Sequence, residues 1–106
     1  MNVISASLIV PLLLSTQVMA SSERQQFSRC LRSFVDSKIE ARTGAEAFET
    51  ALAGACTQQE AAYRAAYVAA AVRAGDSRTV AERDAATEAE DLRTNFKEIF
   101  AGSQAN

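Results

Sequence analysis

The chain contains no histidine and no tryptophan, one proline, four glycines and two cysteines among its 106 residues. Without histidine there is no imidazole to ligate a metal, to complete a Ser-His-Asp triad or to activate a cysteine. The Glu-x-x-His motif of di-iron helical bundles is excluded on the same ground. The two cysteines are 26 residues apart, so the Cys-x-x-Cys spacing of dithiol oxidoreductases is missing. An excess of positive charge is missing too. Eleven Lys and Arg stand against 13 Asp and Glu, a net charge of -2, which argues against the basic face of a nucleic-acid binder. Large apolar side chains are scarce: beyond residue 20 there are 16 bigger than Ala or Cys, beside 20 alanines. The chain has no Gly-rich phosphate loop, no nucleophile elbow and no nameable pair of catalytic carboxylates. The reading is therefore non-catalytic, with no metal and no cofactor.

The one long hydrophobic run is Val3 to Leu14, broken only by Ser5, Ser7 and Pro11. It is shorter than the roughly 20 apolar residues of a membrane-spanning helix. Ser15-Thr16-Gln17 and then Val18-Met19-Ala20 follow, and small or aliphatic side chains at those places suit a signal peptidase. The expectation is a signal peptide over 1–20, cut between Ala20 and Ser21, although only Met1 and Asn2 stand where a positive n-region usually lies. No cysteine follows the cut to carry a lipid. The processed chain is expected in the periplasm or outside the cell, with no membrane attachment.

An exported chain meets an oxidising compartment, where a pair of cysteines closes into a disulfide. Cys30 and Cys56 lie about equally far from a turn at Thr43-Gly44. With helical arms rising about 1.5 Å per residue, both sulfurs fall roughly 19 Å from that turn and side by side in an antiparallel hairpin. A loop of this size stabilises by about 3.5 kcal/mol in the chain-entropy treatment.

A Ser or Thr followed three residues later by Glu or Gln satisfies two orphan amides at a helix start. Four such boxes occur: Ser22 with Gln25, Thr43 with Glu46, Thr57 with Glu60, and Thr79 with Glu82. Each precedes apolar residues at helical spacing. The first run is Phe27, Cys30, Leu31, Phe34, Val35 and Ile39; the second is Phe48, Ala51, Leu52, Ala55 and Cys56. The third extends from Ala61 to Ala74 and carries only Arg64 and Arg73 as charges. The fourth is Ala85, Ala89, Leu92, Phe96 and Ile99, with Phe100 alongside. Gly75 and Gly102 sit where helices end. No segment alternates like a strand. The expected fold is all-α, a small disulfide-stapled helical bundle over 21–102 with a frayed tail at 103–106. Four helices follow if the polar turn Thr57–Glu60 is a break, and three if 45–74 is one helix.

The third run is apolar on almost every side, which marks a helix buried on almost every side. The bland reading makes it the central core helix. The sharper reading leaves one face open to another protein or to a second copy of the chain, with Tyr63, Arg64 and Tyr67 as anchors, since Tyr and Arg are enriched at interface hot spots. On the fourth run Asp84, Glu88, Asp91 and Glu98 form a carboxylate row, read as a solvated face. Arg32 is placed to pair with Asp36 one turn on. The functional expectation is an exported protein-interaction or self-associating module. The alternative is a periplasmic acid- or envelope-stress chaperone, because acid takes the net charge from -2 towards +11 and loosens a thin core.

Overall fold

The computed structural model describes the backbone of residues 3–105 and the side chains of 22–105. The chain is all-α: α1 (Val3–Glu40), α2 (Ala45–Ala53), α3 (Thr57–Arg73) and α4 (Arg78–Gln104). Among the described residues no helix is long and apolar enough to cross a membrane. The side chains of the Val3–Leu14 run and of the expected cut at Ala20–Ser21 lie outside the description, as does Asn106.

Contacts fix the helix directions. Cys30 bonds Cys56 while Phe27 stacks towards Tyr63 at 6.1 Å, so α3 runs antiparallel to α1. Val68 clusters with Ala81 and Ala85 while Glu60 meets Arg93, so α4 runs antiparallel to α3 and parallel to α1. α2 descends beside the upper ends of both, with Phe48 near Phe34 (5.7 Å) and stacked on Phe100 (3.7 Å). The return leg of the bundle is thus α2 followed by α3, two helices in series where one could have run.

The break between them is not where the polar turn suggested. Gly54 caps α2, Ala55 and Cys56 form the connection, and Thr57–Glu60 is the first turn of α3. Two of the cores expected from periodicity are present: Phe27, Leu31 and Val35 on α1, and Ala85, Ala89, Leu92 and Phe96 on α4, are buried. Ala81 and Phe100 join them, whereas Ile39 and Ile99 are only partly covered.

All three connections pass through one left-handed residue: Arg42 (φ 56°), Cys56 (φ 60°) and Gly75 (φ 111°). After α1, Thr43 N–H donates to the Lys38 carbonyl and Arg42 N–H to that of Ile39. After α3, Asp76 N–H donates to Ala71 and Gly75 N–H to Val72. Both are the paired closure in which a left-handed residue lets two amides turn back onto the helix end. Glycine adopts that conformation freely at 75; Arg42 and Cys56 do so against the steric preference of their β-carbons.

None of the four Ser/Thr boxes caps a helix: Thr43, Thr57 and Thr79 lie one or two residues from the actual N-caps, and Ser22 lies inside α1. Ser22 starts nothing, because α1 runs straight through it. Gly44 occupies the N-cap of α2 and Cys56 that of α3, neither with a side-chain cap. At α4 the cap is Ser77, whose Oγ accepts from Val80 N–H at 3.2 Å, and Thr79 is already helical. Glu60 is drawn away from a capping role by arginines. At the far end α4 continues through Gly102, and Ser103 Oγ donates to the Phe100 carbonyl at 2.6 Å. Gly102 therefore does not end that helix. Ser77→Ala is expected to cost about 1 kcal/mol in a urea titration, and Thr79→Ala close to nothing.

Candidate functional site

Tyr63 and Tyr67 sit one turn apart on α3, but they do not share an environment. Tyr63 is 4% exposed, packed between Phe27 and an edge-on Tyr67 ring at 6.3 Å. Tyr67 is half-buried and touches both core clusters. Burial is the main cause that lifts both phenols above their ordinary value of 10.0. Glu88 adds to this at Tyr63, opposed by Arg24, while Asp84 and then Glu88 add to it at Tyr67. Arg64 remains at the surface, 3.4 Å from Glu60. Of the three proposed anchors, then, one is in the core, one bridges core and surface, and one is a partly exposed charge.

The burial expected all round α3 is not what the helix has. Only Tyr63 and Val68 are fully buried, while Ala61, Ala62, Ala65, Ala69 and Val72 are exposed. Three neighbours cannot surround a fourth helix. α1 and α4 cover one side of α3, and α2 is spent in line with it. The small side chains that made the run look like a core helix instead form an outward, nearly uncharged strip. A shallow groove of about 270 Å³ borders it, floored by Val68 and Ala85 and edged by Arg64, Arg78 and Glu82.

The carboxylate row on α4 divides along its length. Asp84, partly covered, and Glu88, exposed, lie close enough to the tyrosines to raise their pKa values, whereas Asp91 and Glu98, also exposed, do not. Among the described residues no three Asp, Glu or Cys side chains converge as metal ligands would.

Among the described residues, the one with the densest polar contacts, Arg93, is one that sequence reasoning missed. Arg93 is 11% exposed along its side chain. Its Nε donates to Glu60 Oε1 at 2.6 Å, Nη1 to the Leu52 carbonyl at 2.8 Å and Nη2 to the Ala55 carbonyl at 2.7 Å. The guanidinium also lies 5.3 Å from the Phe27 ring centroid. One planar group therefore joins α1, the end of α2, the start of α3 and α4, using the fixed fork of donors that lysine lacks. A signal was available: Arg93 stands on the apolar stripe itself, in step with Ala89, Phe96 and Phe100. Arg32 likewise lies over the Phe96 ring at 5.3 Å and is not ion-paired with Asp36. Beside Arg93, an open groove of about 440 Å³ between α2 and α4 holds a second pair, Lys97 Nζ to Glu49 Oε1 at 2.6 Å, whose hydrogen bond raises the lysine pKa.

The Cys30–Cys56 bond is formed, with the Cα atoms 5.9 Å apart. The two cysteines meet as their equal distance from the turn implies, although the second arm is α2 followed by the Gly54–Cys56 connection and not one helix.

No protein-family model matches this chain, and comparison with curated proteins and with solved structures yields no match either.

Arg93→Met is expected to destabilise by about 2 kcal/mol, since it leaves Glu60 with Arg64 alone at 3.4 Å and strips the Ala55 carbonyl of its donor in a sheltered site. Arg83→Met, at a highly exposed position, should stay within about 0.5 kcal/mol. Urea midpoints of the two variants check this. An unfolded tyrosine loses its proton near pH 10.0, while folded Tyr63 still holds its own. Stability should therefore fall as pH rises past that value. Tyr63→Phe should flatten this alkaline slope, measured as the unfolding midpoint on either side of pH 10.0.

Proposed function

We propose that this protein is exported after removal of residues 1–20 and works without catalysis as a protein-interaction module, presenting the outer face of α3. The observation that carries the reading is the uncovered strip Ala61, Ala62, Ala65, Ala69 and Val72, on a helix whose other side is core. Small side chains let another helix approach closely, and a contiguous apolar strip on a stable helix gains free energy when covered. Arg64 at its edge offers a charged, directional contact of the kind concentrated in interfaces.

Export is supported by the apolar leader and by a disulfide that an oxidising compartment would maintain. The non-catalytic reading is supported by how the polar groups are used. In the groove between α2 and α4, Arg93 binds Glu60 and two backbone carbonyls, while Lys97 and Glu49 bind each other. Side chains held by structural partners are not free to move protons to and from a substrate.

Native mass spectrometry of the chain expressed with its own leader tests the reading. The expected species begins at Ser21, lacks two hydrogens at the cysteines and has twice the monomer mass. Ala65→Glu, at an exposed position, should give the monomer mass with an unchanged helical circular dichroism spectrum. A monomer at every concentration, with cross-links to no other protein through α3, would remove the basis for an interaction surface there.

A further inference from the structure

The disulfide and Arg93 hold the same short stretch of chain from different helices. Cys30 on α1 ties Cys56, and Arg93 on α4 ties Leu52, Ala55 and Glu60. The α2–α3 connection is therefore anchored twice, once covalently and once by three hydrogen bonds. On the α1 side the bond is not sealed into the core. Both cysteines are only half-buried, and they border an open groove of about 620 Å³ between α1 and the connection, lined by Ser33, Phe34, Ser37, Lys38, Gly54 and Ala55 among others. Phe27, Leu31 and Val35, the residues that α1 commits to the core, are fully buried, whereas Cys56 packs against the edge of that cluster and stays half-buried.

We infer that Cys30–Cys56 is a reversible thiol-exchange site, opened in the folded protein by a low-molecular-weight thiol such as glutathione while Arg93 keeps the α2–α3 connection in place. The two sulfurs are not equivalent. Cys56 occupies the N-cap of α3, where unpaired amides and the positive end of the helix dipole favour an anion. Cys30 lies within α1 and has no such support. Exchange is fastest when the better-stabilised thiolate leaves. The incoming thiolate, its proton already released to water, attacks Cys30 Sγ. The sulfur–sulfur bond breaks with its electron pair on Cys56, which then takes up a proton, and Cys30 is left in a mixed disulfide. A second thiol attacks the small-molecule sulfur of that adduct. It releases Cys30, which is protonated in turn, together with the oxidised small-molecule disulfide. Two thiols are oxidised as one protein disulfide is reduced. Lys38, at the groove's edge, places a positive charge near the approach of an anionic thiolate.

The inference does not depend on the partner surface of α3. Its test is the rate of reduction of the oxidised chain by glutathione, in buffer and in urea below the unfolding midpoint, with iodoacetamide quenching and peptide mapping. A site reached in the folded state gives a rate constant that changes by less than about twofold across that urea range. It also gives a first adduct carrying glutathione on Cys30 and carbamidomethyl on Cys56, and a reduced product that keeps its helical circular dichroism. Arg93→Met should separate the two anchors: helical when oxidised, and losing helix on reduction where the parent does not. A rate that climbs about tenfold or more with urea, in step with the unfolded fraction, would overturn the inference, because the bond would then be reached only by global opening. Collapse of the parent fold on reduction, or a first adduct on Cys56, would overturn it as well. Should Arg93→Met fail to fold even when oxidised, the parent's urea dependence and adduct position decide the matter.

Discussion

One guanidinium closes the weakest point of this fold. A return leg made of two helices in series must have a gap; there the Leu52 carbonyl accepts from the Ala55 N–H, and the Ala55 carbonyl lies beyond the reach of either helix ladder. Arg93 reaches the gap from α4, binds the Leu52 and Ala55 carbonyls, and uses its third donor edge to hold Glu60 on the first turn of α3. Its flat face covers Phe27. The position of α2 relative to α4, the start of α3 and the shelter of the lower core all follow from that placement. Lysine could supply the charge, but not three donors in one plane.

The rest of the architecture follows from how few large side chains are available. Ten buried residues form the main cluster, with a small second one around Val68, Ala81 and Ala85 where α3 and α4 approach through alanines. Cations at the margins extend this cover: Arg32 over Phe96, Lys38 over Phe34 and Arg93 over Phe27. A cation over a ring keeps the charge partly solvated while shielding apolar area, which suits a bundle too thin to bury every phenylalanine behind aliphatic neighbours. The covalent link at Cys30–Cys56 then restricts the unfolded chain, where a small core leaves the least margin.

The alanines of α3 play two parts at once. Facing α4 they permit close approach, and facing outward they leave a strip without charge. The same composition that allows tight packing on one side leaves an uncharged, exposed strip on the other, and the proposed interaction function rests on that second side. Tyr63, which looked like an anchor for it, is instead held between Phe27 and Tyr67, and only Arg64 and part of Tyr67 remain to meet a partner.

Sequence alone determined the helical class, the apolar faces of the first and last helices and the pairing of the two cysteines. Each rests on short-range periodicity or on simple distance along a helix. Phe27, Leu31 and Val35 repeat at steps of four, and Cys30 and Cys56 are equidistant from a turn; neither statement needs knowledge of a neighbour. Helix starts were less legible, because Ser or Thr followed by Glu matches several registers, and only the folded backbone selects Ser77 over Thr79 or passes through Ser22 without stopping. Tertiary structure alone decided that Gly54 ends α2, that α3 is covered on one side only, and that Arg93 is internal. Those outcomes depend on which groups meet across the bundle. A guanidinium enters an interior only where several acceptors converge on it, and that convergence is made by three separate segments of chain coming together.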